Sequence, residues 1–348
     1  MILNAYAVLS GFVVVLRGIV AVLVLGLACR HLWGHGRDGT SASSRTESEN
    51  RFYLLSLLAS WLLGLSLISW PLLYLLLQSY VPQWPGVMCI YGVTQIGAGS
   101  LGASRFLPGL IAAMQCLKPA AVLLSGVWFV LYRIQRQTQT GPLLGRVLLA
   151  QLAVGVLALT DAVVEGTYLV IPKQEEFLFT GCCTTEMRDL TGTSTTWMSA
   201  LSDKLGPTWL SAMFYLAHIG LIAELWVVRR GCRQRDTDFG ISWVFVIAVL
   251  IVPVTAVYLV EVAAPAVLRL PYHHCLYDLI PRAPDMVVAI VLFVLGGCCV
   301  GWASTIRWLA DGPETDTLAR SELDRLLSAG LSCYLGALVM TFLEVHLA

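Results

Sequence analysis

Lysine is almost absent from this chain. Of its 22 basic residues only Lys118, Lys173 and Lys204 are lysines. Charge of either sign is scarce, at 13% of residues, against about 25% in an ordinary soluble domain. So little charge cannot cover a globule that faces water on every side. Basic and acidic residues balance to a formal net charge of zero, which removes the electrostatic footprint that nucleic acid would need.

Several motifs are missing too. No Gly-x-x-x-x-Gly-Lys-Ser/Thr phosphate loop occurs, so no ATPase is expected, and no interhelical loop is long enough for a nucleotide-binding domain. Cys-x-x-Cys is absent, which excludes a thioredoxin-type dithiol, and without Cys-x-x-Cys-His there is no attachment site for c-type haem. His-Glu-x-x-His is absent as well, and with it the simplest metalloprotease reading.

What is present is apolar sequence. Hydrophobic residues make up 57% of the chain and mean hydropathy is +0.75. Runs of about 20 apolar residues recur from end to end, the mark of an all-α, polytopic membrane helix bundle. Eight transmembrane spans are expected, at about 5–28, 53–78, 107–132, 147–171, 207–228, 241–263, 286–308 and 326–346, in one transmembrane domain over 1–348. Pro71 and Pro253 fall inside the second and sixth and are expected to bend them. The first residues lack a basic n-region and a small-residue cleavage site, so the first span is expected to be retained.

Arginine placement predicts orientation. The loops after spans one, three, five and seven carry fourteen cations: Arg30, Arg37, Arg45, Arg51, Arg133, Arg136, Arg146, Arg229, Arg230, Arg233, Arg235, Arg307, Arg320 and Arg325. The alternate loops carry six: Arg105, Lys173, Arg188, Lys204, Arg269 and Arg282. The basic side should be cytoplasmic, which makes this a multi-pass cell-membrane protein with both termini outside. Trp128, Trp226, Trp243 and Trp308 fall at the cytoplasmic helix ends, where an interfacial aromatic belt is expected. Among the cytoplasmic loops, about 29–52 is polar and reads as a flexible linker. The outer loops, about 79–106, 172–206 and 264–285, total roughly 85 residues, enough for a cap but not for a separate domain. Gly92 to Gly102 reads as a flexible or re-entrant segment.

The outer loops hold Cys89, Cys182, Cys183 and Cys275, with Cys182 placed 93 residues from both Cys89 and Cys275. Cys89-Ile-Tyr-Gly-Val and Cys275-Leu-Tyr-Asp-Leu hint at an internal repeat. Three chemistries fit the cysteines. In an oxidising compartment they would form two disulfides that staple the loops. With His273, His274 and Met88 beside them, Cys182 and Cys275 supply soft and borderline donors suited to Cu(I) or Zn. Alternatively, Cys182 or Cys183 attacks a disulfide and Cys89 or Cys275 resolves it, with an imidazole lowering the thiol pKa. The plan of cysteines in outer loops resembles that of quinone-coupled disulfide-forming membrane proteins. Those use Cys-x-x-Cys in a smaller bundle, and none of their residues carries over.

A second set of candidates lies within the spans. Arg17, Lys118, Asp161 and His218 fall near span centres, Glu165 stands one turn from Asp161 on the same face, and Glu261 closes span six. Arg17 or Lys118 can pair with Asp161 and lock the helices. Alternatively, Asp161, Glu165 and Glu261 can form a polar relay for protons or cations, or neutralise a bound quinone. Cys116, Cys298, Cys299 and Cys333 read as small packing residues, and Gly296, Gly297 and Gly301 as a close helix contact. The leading expectation is thiol redox or soft-metal handling at the extracytoplasmic face. The alternatives are a transporter or permease subunit with stapled outer loops, and a structural subunit of a larger membrane complex. The expected partners are the lipid bilayer and other membrane or periplasmic subunits.

Overall fold

The computed structural model describes residues 4–34, 42–84, 87, 89–97, 102–138, 141–173, 197–234, 240–270, 274–310, 312 and 314–347. Most of these residues are helical, with no strand among them. In chain order the helices are α1 Ala5–Gly34, α2 Ala42–Tyr80, α3 Ile90–Thr94, α4 Leu107–Gln137, α5 Leu144–Val170, α6 Trp197–Gln234, α7 Gly240–Tyr258, α8 Ala264–Leu268, α9 Leu276–Arg282, α10 Pro284–Leu309 and α11 Asp316–Leu347. A π-helical turn, Leu259–Ala263, joins α7 to α8.

Eight of these helices are long and apolar enough to cross a membrane: α1, α2, α4, α5, α6, α7, α10 and α11. They match the eight expected spans one for one. Helix α6 is broken at Gly206, whose φ of 74° lies in the left-handed region, and the regular helix restarts at Pro207. Proline is pre-set for a first helical turn, where its missing N–H costs nothing. Helix α2 begins at Ala42, so the stretch read as a flexible linker is helical from that residue on.

Burial inverts the pattern of a water-soluble protein. Phe12, Leu216 and Val252 are 65%, 69% and 64% exposed on the outward faces, while Arg17, Lys118 and Asp161 are 0%, 1% and 1% exposed. Apolar faces of that extent match hydrocarbon, where burying them from water is not needed.

The chain divides into two compact units with four spans each. One comprises 1–86, 93–178 and 309–318, and the other 87–92, 179–308 and 319–348. In the first unit α5 packs on α1 and α4, and α2 packs on α1. Small residues permit this closeness: a Cβ at Gly155 would meet Leu25 at 3.0 Å. The glycine loop before α4 has a specific requirement at Gly97. Its φ is 89° and a Cβ there would collide with the Ser104 carbonyl, so only glycine fits.

In the second unit α10 and α11 approach through glycine. A Cβ at Gly330 would stand 3.4 Å from Cys299 Cβ, and one at Gly296 would meet the Tyr334 ring at 3.0 Å. Buried Cys298 and Cys299 therefore act as packing residues of a close helix contact, whereas Cys116 is exposed on its helix. One tryptophan departs from the aromatic belt. Trp226, Trp243 and Trp308 are exposed, but Trp128 is 0% exposed and stacks on Tyr132 at 5.6 Å. It lies on the inward stripe of α4 with Lys118, Ala121 and Ser125, so the helix turns its indole into the core.

Candidate functional sites

Arg17, Lys118, Asp161 and Glu165 converge in the first unit. Arg17 comes from α1, Lys118 from α4, and the two acids from successive turns of α5. Arg17 Nη1 lies 2.6 Å from Asp161 Oδ2, and Nη2 lies 3.0 Å from Glu165 Oε2. Lys118 Nζ spans the same acids, at 3.3 Å from Asp161 Oδ2 and 2.6 Å from Glu165 Oε2. Two positive and two negative groups share one buried site, so it is formally neutral when all four are ionised. Two hydroxyls complete it. Ser10 donates to Glu165 Oε1 at 2.6 Å, while Ser69 on α2 accepts from Arg17 Nη1 at 2.7 Å and from Lys118 Nζ at 2.5 Å and donates to Glu165 Oε2 at 3.2 Å. All four spans of the unit thus contribute to one network. Sequence reading pairs the charges but misses Ser10 and Ser69, because a hydroxyl within an apolar run carries no charge signal. Among the described residues Asp161 Oδ1 and Arg17 Nε have no hydrogen-bond partner, although both are buried.

His218 and Glu261, expected in the same relay, belong to the second unit, where each has a separate setting. His218 is fully buried among Phe214, Phe293 and Tyr334. Its Nδ1 donates to the Phe214 carbonyl at 2.8 Å, and its Nε2 lies 3.3 Å from Thr255 Oγ1. Phe214 stacks on Tyr258 at 3.9 Å and 8°. This is a histidine satisfied within an aromatic core.

Glu261 stands in the π-helical turn, an irregularity often found at functional sites. Facing it is His274, 4% exposed, whose Nδ1 lies 3.4 Å from Glu261 Oε2 and 3.2 Å from the Val260 carbonyl. Both neighbours of Nδ1 are acceptors, so Nδ1 carries the proton. In the neutral ring Nε2 then presents its lone pair, and it is buried with no hydrogen-bond partner among the described residues. Cys275, adjacent in sequence, is 3% exposed. Cys89 falls in the same compact unit as Cys275, although it follows the second span. Met88, Cys182, Cys183 and His273 lie outside the described residues. Among the described residues no three His, Cys, Asp or Glu side chains converge as a metal site.

Beyond the spans, Lys173 sits between two aromatic rings. Its Nζ donates to the Tyr168 carbonyl at 3.0 Å and lies 4.4 Å from the Tyr168 ring centre and 5.6 Å from that of Tyr80. Burial there pushes its pKa down from 10.5 to about 8.

Compared with known proteins, the chain matches no family model, no curated relative and no solved structure.

Proposed function

We propose that this chain is a multi-pass cell-membrane protein that binds a soft or borderline metal ion, Cu(I) or Zn, at its extracytoplasmic face. The site is built on the loop His273-His274-Cys275, with Cys89, Cys182, Cys183 and Met88 as the further donors. The observation that carries this reading is the posture of His274. A metal-binding imidazole characteristically donates its other ring N–H to a carboxylate or a backbone carbonyl. Here Nδ1 faces both, at Glu261 and Val260, while the buried Nε2 has no partner among the described residues. Next to it is a sulfur ligand, and the softness of Cys and Met matches Cu(I).

Elemental analysis of purified, reduced protein tests this reading. Copper or zinc is expected in stoichiometric amount, lost in His274→Ala and held about 10–100-fold more weakly in Glu261→Gln. No copper or zinc above background in reduced protein overturns it. So do two disulfides among Cys89, Cys182, Cys183 and Cys275 that resist mild reductant, an outcome that also removes thiol exchange.

A second reading has its own observation. The unpartnered Asp161 Oδ1 and Arg17 Nε lie in a charge cluster that could receive an ion or proton, as in a transporter or permease subunit. Flux through proteoliposomes that is abolished by Asp161→Asn, in a variant that remains folded, is the outcome this reading requires.

A further inference from the structure

Neither site uses Glu224. It lies in α6, inside the candidate span Ala200–Cys232, and no hydrogen bond or ion pair engages it among the described residues. The buried stripe of α6 runs through Leu210, Phe214, His218, Leu221, Leu225 and Val228. Glu224 falls off that stripe, on the outward side.

There it lines a groove of about 580 Å³ between α6 and α7, with Ala217, Gly220 and Ala223 from its own helix and Leu250 and Val254 opposite. At 1.5 Å per residue, Glu224 lies about 8 Å deeper along the helix than Arg229, which is held by Asp324 at 2.9 Å near the end of the span. Within its own unit, then, the nearest fixed cation along the helix already has an acidic partner.

We propose that this groove seats a transmembrane helix of a partner protein that presents a lysine or arginine to Glu224. Three features fit such an occupant. Gly220, Ala217 and Ala223 leave room for a backbone to approach, as small residues do at membrane helix contacts. The remaining lining is aliphatic and suits the apolar body of a helix. The carboxylate needs a positive partner in hydrocarbon, and a basic side chain supplies charge and hydrogen bonds together. A second copy of this chain would bring a second carboxylate to the same place, and like charges oppose it. The inference is independent of the metal reading, because no groove residue belongs to the His274 loop.

The test uses the full chain in phosphatidylcholine proteoliposomes and a synthetic Leu/Ala transmembrane helix carrying one lysine at the matching depth. The control is the same helix with methionine in that position. Energy transfer between the labelled partners reads association. The lysine helix is expected to bind about tenfold more tightly than the methionine helix. In Glu224→Gln the preference should fall below about twofold. Because no described residue pairs with Glu224, that variant should fold normally. Gly220→Leu fills the groove without touching the charge, and a Cβ at Gly220 meets nothing within 4 Å; it should weaken both helices alike. Equal binding of the two helices overturns the proposal, as does a preference that survives Glu224→Gln. A disulfide formed between two copies of Ala223→Cys in the membrane would assign the face to self-association instead. Co-purified phosphatidylethanolamine that disappears in Glu224→Gln would assign it to a lipid amine.

Discussion

Replacing Lys118 by methionine should destabilise this protein severely, and replacing Glu165 by glutamine at the same time should restore most of the loss. Lys118 Nζ and Glu165 Oε2 are 2.6 Å apart, and the side chains of both are 1% exposed. With Arg17 and Asp161 the group of four is neutral. Lys118→Met alone leaves one negative charge uncompensated in a dry core, at a cost of about 3–5 kcal/mol. Glu165→Gln alone leaves one uncompensated positive charge, with a similar cost. Such losses are a large share of a total stability of about 5–15 kcal/mol.

The double variant is neutral again and keeps the Arg17–Asp161 pair at 2.6 Å. Methionine fills the lysine stem, and glutamine can still meet Ser10 and Ser69. An ion pair replaced by uncharged groups of similar volume is often neutral in stability, so the double variant should recover to within about 1–2 kcal/mol of the parent. The coupling energy should then exceed about 3 kcal/mol, far above the roughly 0–1 kcal/mol of an exposed pair. Equilibrium unfolding in mixed detergent–lipid micelles, followed by circular dichroism, measures it. Additive losses to within about 0.5 kcal/mol would refute the argument, because the charges would then not be compensating one another.

Three further expectations follow from other parts of the chain. Lys173 has a folded-state pKa of about 8 against an ordinary 10.5, so the folded state holds that proton less tightly than the unfolded one. Stability contributed by this residue should be lowest below pH 8 and rise towards pH 10.5; unfolding midpoints for the parent that rise no more than those of Lys173→Met would contradict it. Gly296→Val should loosen the α10–α11 contact, since even a Cβ would stand 3.0 Å from the Tyr334 ring; a loss of about 1–3 kcal/mol is expected, and an unchanged unfolding curve would refute that contact. Gln151 is 0% exposed, and neither its Oε1 nor its Nε2 has a partner among the described residues. Gln151→Leu should therefore stabilise the first unit by about 1–3 kcal/mol, and a fall in unfolding midpoint would mean that water or a ligand satisfies the amide.

The spans were legible because hydropathy sums over about 20 residues and single exceptions do not erase it. Pairing of the buried charges was legible for a different reason: in hydrocarbon, Arg17 and Lys118 need anions, and Asp161 was available at similar depth. Rotation about the helix axis was harder. Trp128 reads as a belt residue from its position at a helix end. Yet Lys118, Ala121, Ser125 and Trp128 follow the three–four spacing of one face, so the buried lysine already sets the phase that turns the indole inward. Glu224 is the reverse case. The stripe through His218 and Leu221 excludes it from the core, and sequence reading that counts charges by depth alone passes over it. Posture at His274 was not legible at all. The hydrogen bond that fixes its tautomer goes to the Val260 carbonyl, with the Glu261 carboxylate 3.4 Å from the same nitrogen; the π-helical turn presents both, and no periodicity announces such a turn.

The two compact units fill their cores by different means. Each holds four spans. A Cys-x-Tyr tripeptide leads into a short helix after the second and after the sixth span, Cys89 before α3 and Cys275 before α9, and both cysteines belong to the second unit. At the centre of the first unit are four charges and two serine hydroxyls. At the centre of the second are His218 and stacked rings, with Phe214 on Tyr258 at 3.9 Å and Phe293 and Tyr334 around them. Helices in lipid gain little from burying apolar surface, so contact must come from packing, small residues or polar pairing. The first unit relies on directed polar bonds, which fix register because a displaced charge has no alternative partner. The second relies on ring contacts and on close helix approach at Gly296 and Gly330, where shape rather than charge sets the spacing of α10 and α11. Crowding should therefore damage the second unit most, at Gly296, and an uncompensated charge the first, at Lys118 or Glu165.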